Sequence, residues 1–160
     1  MEQQQCLFCG IAHKQVPSYI IYEDDKIIAI LDINPLTSGH VLLFPKEHYP
    51  VFQAIPQDVM DHLSKAIRLI SNTMLKALKA TGTNIYNANG VVAGQKAPHV
   101  IIHIVPRYDS DGINSFFIPT VATDKEKMEK LREVFVDKIK DMNSTQKSDL
   151  EAQLTEKFGK

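Results

Sequence analysis

The chain has 160 residues, of which 44% are apolar and 23% are charged. This balance predicts a globular protein with enough apolar side chains for one core. The formal net charge of −1 produces no overall field that would attract nucleic acid or an anionic membrane surface. We therefore expect no nucleic-acid or membrane partner, and any recognition of phosphate must be local.

The N-terminal segment carries both cysteines of the chain, in a Cys-x-x-Cys motif at positions 6–9. Residues 1–5 lack the basic and apolar pattern of a signal peptide, and no run of about 18 apolar residues occurs, so we expect a cytoplasmic protein. In a reducing compartment such a cysteine pair is redox-active or contributes to a metal site. His48 and His99 could complete a zinc site, but spacing alone leaves this only one of the alternatives.

Five strands and one long helix are predicted between residues 19 and 105. Three β-rich runs come first, at residues 19–22, 27–31 and 40–44. The charged turn between the first two runs predicts a hairpin. From Gln57 to Lys79 apolar residues recur at helical spacing, and two further strands are predicted at residues 84–87 and 98–105. This order favours an α+β fold in which a five-stranded antiparallel meander carries the long helix on one face.

The sequence after residue 110 predicts C-terminal helices. Lys125–Met142 fits a charged amphipathic helix, and a capping-box pattern at Ser148–Glu151 predicts the start of a second helix. We therefore expect a domain at residues 1–110 and a helical extension at residues 111–160. The extension is expected to pack on the same domain or on a partner subunit.

The last predicted strand contains His99, Ile101 and His103 in a β-branched run. Side chains alternate between the two faces of a strand, so these three share one face. A lone strand histidine is usually structural. One that lies beside a Gly-Gln loop, here Gly94–Gln95, could contact a phosphate oxygen and balance its charge.

This segment resembles the signature of the histidine triad (HIT) family, His-x-His-x-His with apolar residues between the histidines. The resemblance extends over residues 6–107, and it includes five separated blocks in the family's order and spacing, at residues 23–25, 31–35, 38–40, 45–48 and 93–95. It implies the HIT-like α+β fold. It also implies a homodimer that joins two five-stranded sheets.

The resemblance implies an activity, and the sequence departs from the family at one position important for it. HIT enzymes are nucleotide hydrolases and transferases whose middle histidine attacks the α-phosphorus and forms a nucleotidyl-imidazole intermediate. In this sequence Ile101 takes that position, and isoleucine has no lone pair with which to attack. The implied substrates are purine nucleoside phosphoramidates, adenylylated amines or dinucleoside polyphosphates, with impaired turnover. The alternative is a non-catalytic nucleotide sensor or a protein-interaction module that uses the C-terminal extension.

Three explanations of Ile101 are open from the sequence. A natural protein could keep the nucleotide cleft without turnover, the histidine could have been replaced to trap a ligand, or His103 could support slow attack by water. A replacement made to remove an imidazole usually introduces Ala, Asn or Gly, whereas Ile is favoured in strands. Natural divergence is therefore the favoured explanation.

The nucleotide contacts that the resemblance implies fall on three groups of residues. Asp32 would accept hydrogen bonds from both ribose hydroxyls, although an isolated aspartate before a proline-containing loop is usually a turn residue. The nucleobase cleft would be lined by Leu7, Phe8, Ile11, Ile30 and Leu31. The phosphates would lie beside His103, Asn89, Gly94 and Gln95, although Asn89-Gly90 also fits a simple turn. Lys96 takes a position where other branches of the family carry a Ser or Thr that contacts the leaving group.

The resemblance also implies a metal site. Cys6, Cys9, His48 and His99 match the four ligands of a structural zinc ion in prokaryotic members of the family. The remaining histidines show no partner spacing and are expected to be surface or structural residues: His13, His40 and His62.

Overall fold

The computed structural model describes residues 6–113 and 121–158. For residues 144–158 it describes the backbone alone. The chain divides into two compact units, Met1–Asn114 and Ser115–Lys160. The packing of the extension on the domain or on a partner stays a prediction. Among the described residues, no helix is both long enough and apolar enough to cross a membrane.

The described residues of the first unit form one five-stranded sheet and two α-helices. In chain order its elements are α1 (Leu7–Ala12), β1 (Ile20–Glu23), β2 (Ile27–Leu31), β3 (Val41–Pro45), α2 (Gln57–Ala77), β4 (Gly82–Tyr86) and β5 (Ile102–Arg107). The strands are arranged in the order β1-β2-β3-β5-β4, and every neighbouring pair is antiparallel. The predicted α+β class with a five-stranded antiparallel sheet is confirmed.

Only the first three strands follow one another across the sheet as in a meander. Helix α2 carries the chain from β3 to the edge strand β4, and β5 then returns to lie between β3 and β4. In this position His103 of β5 has two neighbours, Leu42 in β3 and Tyr86 in β4. A meander in strict chain order would instead have placed His103 on an edge strand.

Helix α2 forms where the sequence predicts the long helix. Its apolar residues at helical spacing are buried against the sheet: Val59, Leu63, Ala66, Ile70 and Met74. Asp58 in the first turn and Lys76 in the last turn have the charges that the helix dipole favours at those ends. The helix ends before Lys79, which has a left-handed backbone with φ of 55°.

The two faces of the sheet bury different sets of side chains. The face toward α2 buries Ile27, Ala29, Val41, Leu43, Ile102 and Ile104. The opposite face packs against α1 and buries Ile28, Ile30, Leu42 and Phe44. This alternation is the pattern of strands that are buried on both faces. Helix α1 covers only part of the second face, and the rest is open to the candidate site.

Strand β5 begins four residues later than the sequence predicts. The segment before it leaves the ladder, because the N–H of Val100 donates to the carbonyl of Tyr49 at 2.8 Å. The ring of His99 donates to the carbonyl of Pro45 at 2.9 Å. Pro45 is the last residue of β3 and Tyr49 lies beyond it, so these contacts hold residues 99–100 at the end of the ladder instead of within it.

Within its described residues, the second unit contains one helix, α3 (Lys125–Phe158). The carboxylate of Asp124 accepts the N–H of Lys127 at 2.8 Å and caps its first turn. The prediction of two separate C-terminal helices is wrong, because the helix continues through residues 143–147. That segment contains neither proline nor glycine and has nothing to interrupt a helix.

Candidate functional site

Two adjacent cavities open on the face of the sheet that lies opposite α2. The larger has a volume of about 610 Å³ and is lined by Leu7, Phe8, Ile11, Val16, Pro17, Ser18, Tyr19, Ile30, Leu31, Asp32, Ile33, Asn34 and Leu42. The smaller has a volume of about 300 Å³ and is lined by Phe8, Leu42, Tyr86, Ala88, Gly94, Gln95, Lys96, Ala97, His99, Ile101 and His103. Phe8 and Leu42 line both cavities and form the boundary between them.

The structure brings most of the candidate nucleotide-site residues together. All six residues suggested for the nucleobase and the ribose line the larger cavity, which is mainly apolar: Leu7, Phe8, Ile11, Ile30, Leu31 and Asp32. Gly94, Gln95, Ile101 and His103 line the smaller cavity. Ile11 of α1 and Ile30 of β2 belong to one buried cluster and both line the larger cavity, so the helix and the strand each contribute apolar side chains to its wall.

Asp32 has a structural contact and also faces the site. It follows β2, and its Oδ1 atom accepts the N–H of Asn34 at 2.9 Å, as in an aspartate-initiated turn. Its Oδ2 atom lies 3.2 Å from Nδ1 of His40. The side chain is 16% exposed, which leaves the carboxylate accessible from the larger cavity.

His40 is a buried partner of His103, although the sequence predicts only a surface or structural role for it. Nε2 of His40 lies 3.1 Å from Nδ1 of His103, and the ring of Tyr86 stacks on His103 at a centroid distance of 4.5 Å. The pairing depends on β3 and β5 being neighbours, which spacing along the chain does not reveal. The only available signal was that His40 lies in the family-like block 38–40.

The cluster of Asp32, His40 and His103 is a chain of hydrogen-bonding groups rather than a chelating set. Its three side chains offer atoms within 4.8 Å of one another. However, His40 turns Nδ1 toward Asp32 and Nε2 toward His103. One metal ion would have to lie on both sides of the same imidazole ring to contact all three.

The imidazoles of His40 and His103 are both neutral near pH 7. Burial and, to a smaller extent, the neighbouring His40 lower the pKa of His103 to about 4, against the opposing effect of Asp32. Burial likewise lowers the pKa of His40, against the attraction of Asp32. If the proton of His40 is on Nε2, it is donated to Nδ1 of His103, and Nε2 of His103 is then a donor. If the proton of His40 is on Nδ1, Nδ1 of His103 donates instead, and Nε2 of His103 is then an acceptor. Both forms are neutral.

Ile101 lies where the resemblance suggests the missing nucleophile. It lines the smaller cavity together with His99 and His103, so the shared face expected from strand alternation is present although β5 begins at Ile102. Its side chain packs against the apolar cluster beneath α1. The Nδ2 atom of Asn87 donates to its carbonyl at 2.9 Å and anchors the backbone at this position.

The loop between β4 and β5 is held together largely by its own hydrogen bonds. The N–H groups of Gly94 and Gln95 donate to the carbonyls of Val91 and Gly90 at 2.9 and 3.1 Å. The side chain of Gln95 accepts the N–H of Gly90 at 2.7 Å and donates to the carbonyls of Pro50 and Ala97 at 2.7 and 2.9 Å. Gln95 therefore acts as a clamp on the backbone of this loop.

Asn89 does not line either cavity. Its Oδ1 atom accepts the N–H of Phe52 at 2.9 Å, and its Nδ2 atom donates to the side chain of Gln53 at 2.8 Å. These contacts attach the loop to the short helical turn Phe52–Ala54. A contact of Asn89 with phosphate would require its side chain to leave both partners, and that contact stays a prediction.

The four candidate zinc ligands form a compact cluster, with Cys6, Cys9 and His99 buried and His48 half-buried. The sulfur of Cys9 lies 3.2 Å from Nδ1 of His48 and 3.7 Å from Nδ1 of His99, and the sulfur of Cys6 lies 3.5 Å from Nδ1 of His99. Tetrahedral zinc with ordinary bond lengths separates sulfur and nitrogen ligands by about 3.6 Å. The spacing of the donor atoms thus fits zinc.

The surroundings of the cluster also suit a cation. His99 donates from Nε2 to the carbonyl of Pro45, which leaves Nδ1 as the free lone pair directed at the cysteines. Burial, reinforced by Cys6, raises the pKa of the Cys9 thiol to about 11. A thiolate in this place therefore needs a positive charge beside it, such as a bound zinc ion.

Comparison with known proteins identifies relatives over most of the first unit. The family model described as HIT domain matches residues 13–110. A HIT-like protein of Methanocaldococcus jannaschii is 44% identical over 107 residues, which cover 67% of this chain and 82% of the relative. The adenylylsulfatase HINT3 of Arabidopsis thaliana is 41% identical over 109 residues, which cover 68% of this chain and 55% of the relative. The adenosine 5'-monophosphoramidase HNT1 of Candida albicans is 33% identical over 135 residues, which cover 80% of this chain and 87% of the relative.

Solved structures share the same fold. A HIT family protein from Bacillus subtilis matches with a TM-score of 0.77 and 29% identity, over 83% of this chain and 96% of that one. A zinc-bound histidine triad family protein from Mycobacterium smegmatis matches with a TM-score of 0.66 and 30% identity, over 88% of this chain and 99% of that one. The family match over more than half of the sequence and the identity of these relatives show that the chain belongs to the HIT family.

Proposed function

We propose that this HIT protein binds a purine mononucleotide across the two cavities. The main support is that the two cavities are adjacent, with an apolar one of about 610 Å³ and a smaller one that contains imidazole and lysine side chains. A purine base favours a mainly apolar cleft, whereas phosphate favours the smaller cavity with its hydrogen-bond donors. Asp32, in the wall of the larger cavity, supplies acceptor atoms for the ribose hydroxyls.

We propose further that the bound nucleotide is turned over slowly or not at all. The relatives named as an adenylylsulfatase and a monophosphoramidase support hydrolysis at the α-phosphate of an adenosine nucleotide as the reaction class. Ile101 lines the smaller cavity, in which we place the phosphate, and its side chain has no lone pair. The covalent step therefore has no nucleophile at this position. The neutral His103 can contact a phosphate oxygen in the same cavity.

A structural role for zinc is part of the same proposal. Cys6, Cys9, His48 and His99 would hold the ion and complete its four ligand positions, which is the arrangement of closed structural sites. His99 also lines the phosphate cavity. The ion would therefore fix the backbone on one side of that cavity and would supply no step of the reaction.

We also propose a homodimer that forms through edge strand β4, for which the sheet order and one exposed residue give support. Strand β4 is at the end of the sheet, and its residue Ile85 is 48% exposed. An exposed apolar side chain on an unpaired edge strand favours pairing with a strand of a second molecule. The extension at residues 111–160 is proposed to pack on the domain or on the partner subunit. In the alternative function, the extension of a non-catalytic nucleotide sensor would contact another protein.

Titration calorimetry with AMP tests the nucleotide proposal. The intact protein should bind AMP, and Asp32→Ala should weaken binding by about 1.5–3 kcal/mol, because hydrogen bonds to a charged acceptor are lost. Asp25→Ala is a matched control, since Asp25 is an exposed turn carboxylate that lines neither cavity. Equal affinities of the two variants would remove Asp32 from the site, and no binding by the intact protein would overturn the proposed function.

A further inference from the structure

We propose that Lys96 makes this site selective for nucleotides whose group beyond the α-phosphate is an anion, such as a second phosphate or a sulfate. The inference rests on the proposed function, because it concerns the smaller cavity as the place of the phosphates. It settles a point that the proposed function leaves open, namely whether the leaving group is a neutral amine or an anion.

The wall of the smaller cavity carries one formal charge, and that charge is positive. Its lining residues include one side chain with a formal charge, Lys96, and no carboxylate. His99 uses Nε2 on the carbonyl of Pro45 and directs Nδ1 at the cysteines, so neither of its nitrogens is free for a ligand. Burial lowers the pKa of His103 to about 4, so its ring is not a cation near pH 7. A small cavity with a single positive charge attracts an anion and discriminates against a cation.

Two residues beside Lys96 in the lining of this cavity, Gly94 and Gln95, have donor groups that are already used. The N–H groups of Gly94 and Gln95 donate to loop carbonyls, and Nε2 of Gln95 donates to the backbone carbonyls of Pro50, Ala97 and His99. Lys96 differs from these neighbours. Within the part of the chain that the structure describes, neither its ammonium group nor its backbone N–H has a hydrogen-bond or ion-pair partner.

The backbone at Lys96 is held in place by hydrogen bonds of the preceding residue. Gln95 clamps the loop immediately before Lys96 through bonds to Gly90 and Pro50, and its bond to Ala97 lies immediately after. The backbone of Lys96 is thus restrained on both sides while its side chain is exposed. A flexible ammonium group on a fixed backbone can follow an anion that projects from the α-phosphate toward solvent.

The test compares ligands that differ in the group on the α-phosphate. Calorimetry should use ADP and adenosine 5'-phosphosulfate as anionic cases and adenosine 5'-phosphoramidate as the neutral case. The intact protein should bind the anionic ligands about fivefold or more tightly than the phosphoramidate, as expected for one charge contact at a partly exposed site. This preference should decrease as the salt concentration is raised.

Two variants distinguish a role of Lys96 from a general effect of charge. Lys96→Met keeps most of the unbranched, apolar part of the side chain and removes its charge, and it should bind all three ligands with affinities within about twofold of one another. Lys65→Met removes an exposed lysine of α2 that lines neither cavity, and it should keep the preference of the intact protein.

The outcomes separate this inference from the proposed function. If Lys96→Met keeps the preference for anions, or if the intact protein shows no preference while binding all three ligands, the role of Lys96 is refuted and nucleotide binding stands. If the intact protein binds none of the three, the proposed function fails and the inference fails with it.

Discussion

Replacing Ile101 by histidine should give this chain the covalent step that it lacks. The substitution places an imidazole between His99 and His103 on the wall of the smaller cavity. The backbone there is anchored by the hydrogen bond from Asn87 to the carbonyl of Ile101, so the new ring should occupy the place of the aliphatic side chain. Because the opposite face of this segment buries different residues, the core beneath α2 should be unaffected.

The expected gain in activity is much larger than the expected loss in stability. Ile101 is half-buried against the cluster beneath α1, so losing its apolar contacts should cost about 1 kcal/mol of the free energy of unfolding. Loss of a covalent nucleophile in other enzymes lowers kcat on the order of 10⁴-fold to 10⁶-fold. Even the lower figure corresponds to about 5.5 kcal/mol in the activation free energy.

A single-turnover assay with adenosine 5'-phosphoramidate measures this effect. The intact protein should release AMP slowly or not at all, whereas Ile101→His should gain several orders of magnitude and show an AMP adduct on its histidine by mass spectrometry. Ile101→Asn is the matched control, because it adds polarity to the cavity without adding a nucleophile. If the protein with Ile101 hydrolyses the substrate as fast as Ile101→His, the nucleophile assignment is wrong, and His103 or an activated water must carry the reaction.

Two further predictions concern the four candidate zinc ligands and the ion pair between Arg107 and Asp111. Metal analysis of the purified protein should find one zinc ion per chain, and Cys9→Ser should lower both the zinc content and Tm. If the intact protein contains no zinc and Cys9→Ser has the same Tm, the site is refuted and Cys9 is a buried thiol. The Arg107 guanidinium holds the pKa of the Asp111 carboxyl well below its usual range, so the pair stabilises the fold above about pH 4 and loses this effect as the pH falls. Asp111→Asn should therefore lower Tm at pH 7, and its Tm should approach that of the intact protein in thermal melts near pH 2; a constant difference across this range would argue against the ion pair.

The parts of the fold that follow local periodicity could be predicted from the sequence. The helix from Gln57 and the hairpin at residues 19–31 lie where apolar spacing and turn residues indicate. The position of β5 between β3 and β4 could not be read in the same way, because local patterns do not specify which strands become neighbours. The continuous α3 was missed because a capping-box pattern at Ser148 also fits the interior of a helix.

The same limit applies to the candidate site. The apolar residues around Phe8 and the carboxylate of Asp32 could be assigned through the family resemblance, and they line one cavity. His40 could not, since its contact with His103 crosses 63 positions of the chain and depends on the strand order. The clamp formed by Gln95 was also missed, because a side-chain amide that bonds to backbone groups has no characteristic spacing.

A crystal structure of the protein with AMP would test the central claim most directly. The account predicts the purine in the larger cavity beside Phe8, the ribose hydroxyls on Asp32, and the phosphate in the smaller cavity beside Ile101 and His103. AMP bound elsewhere, or bound in these cavities in the reverse orientation with its phosphate against the apolar wall, would contradict it.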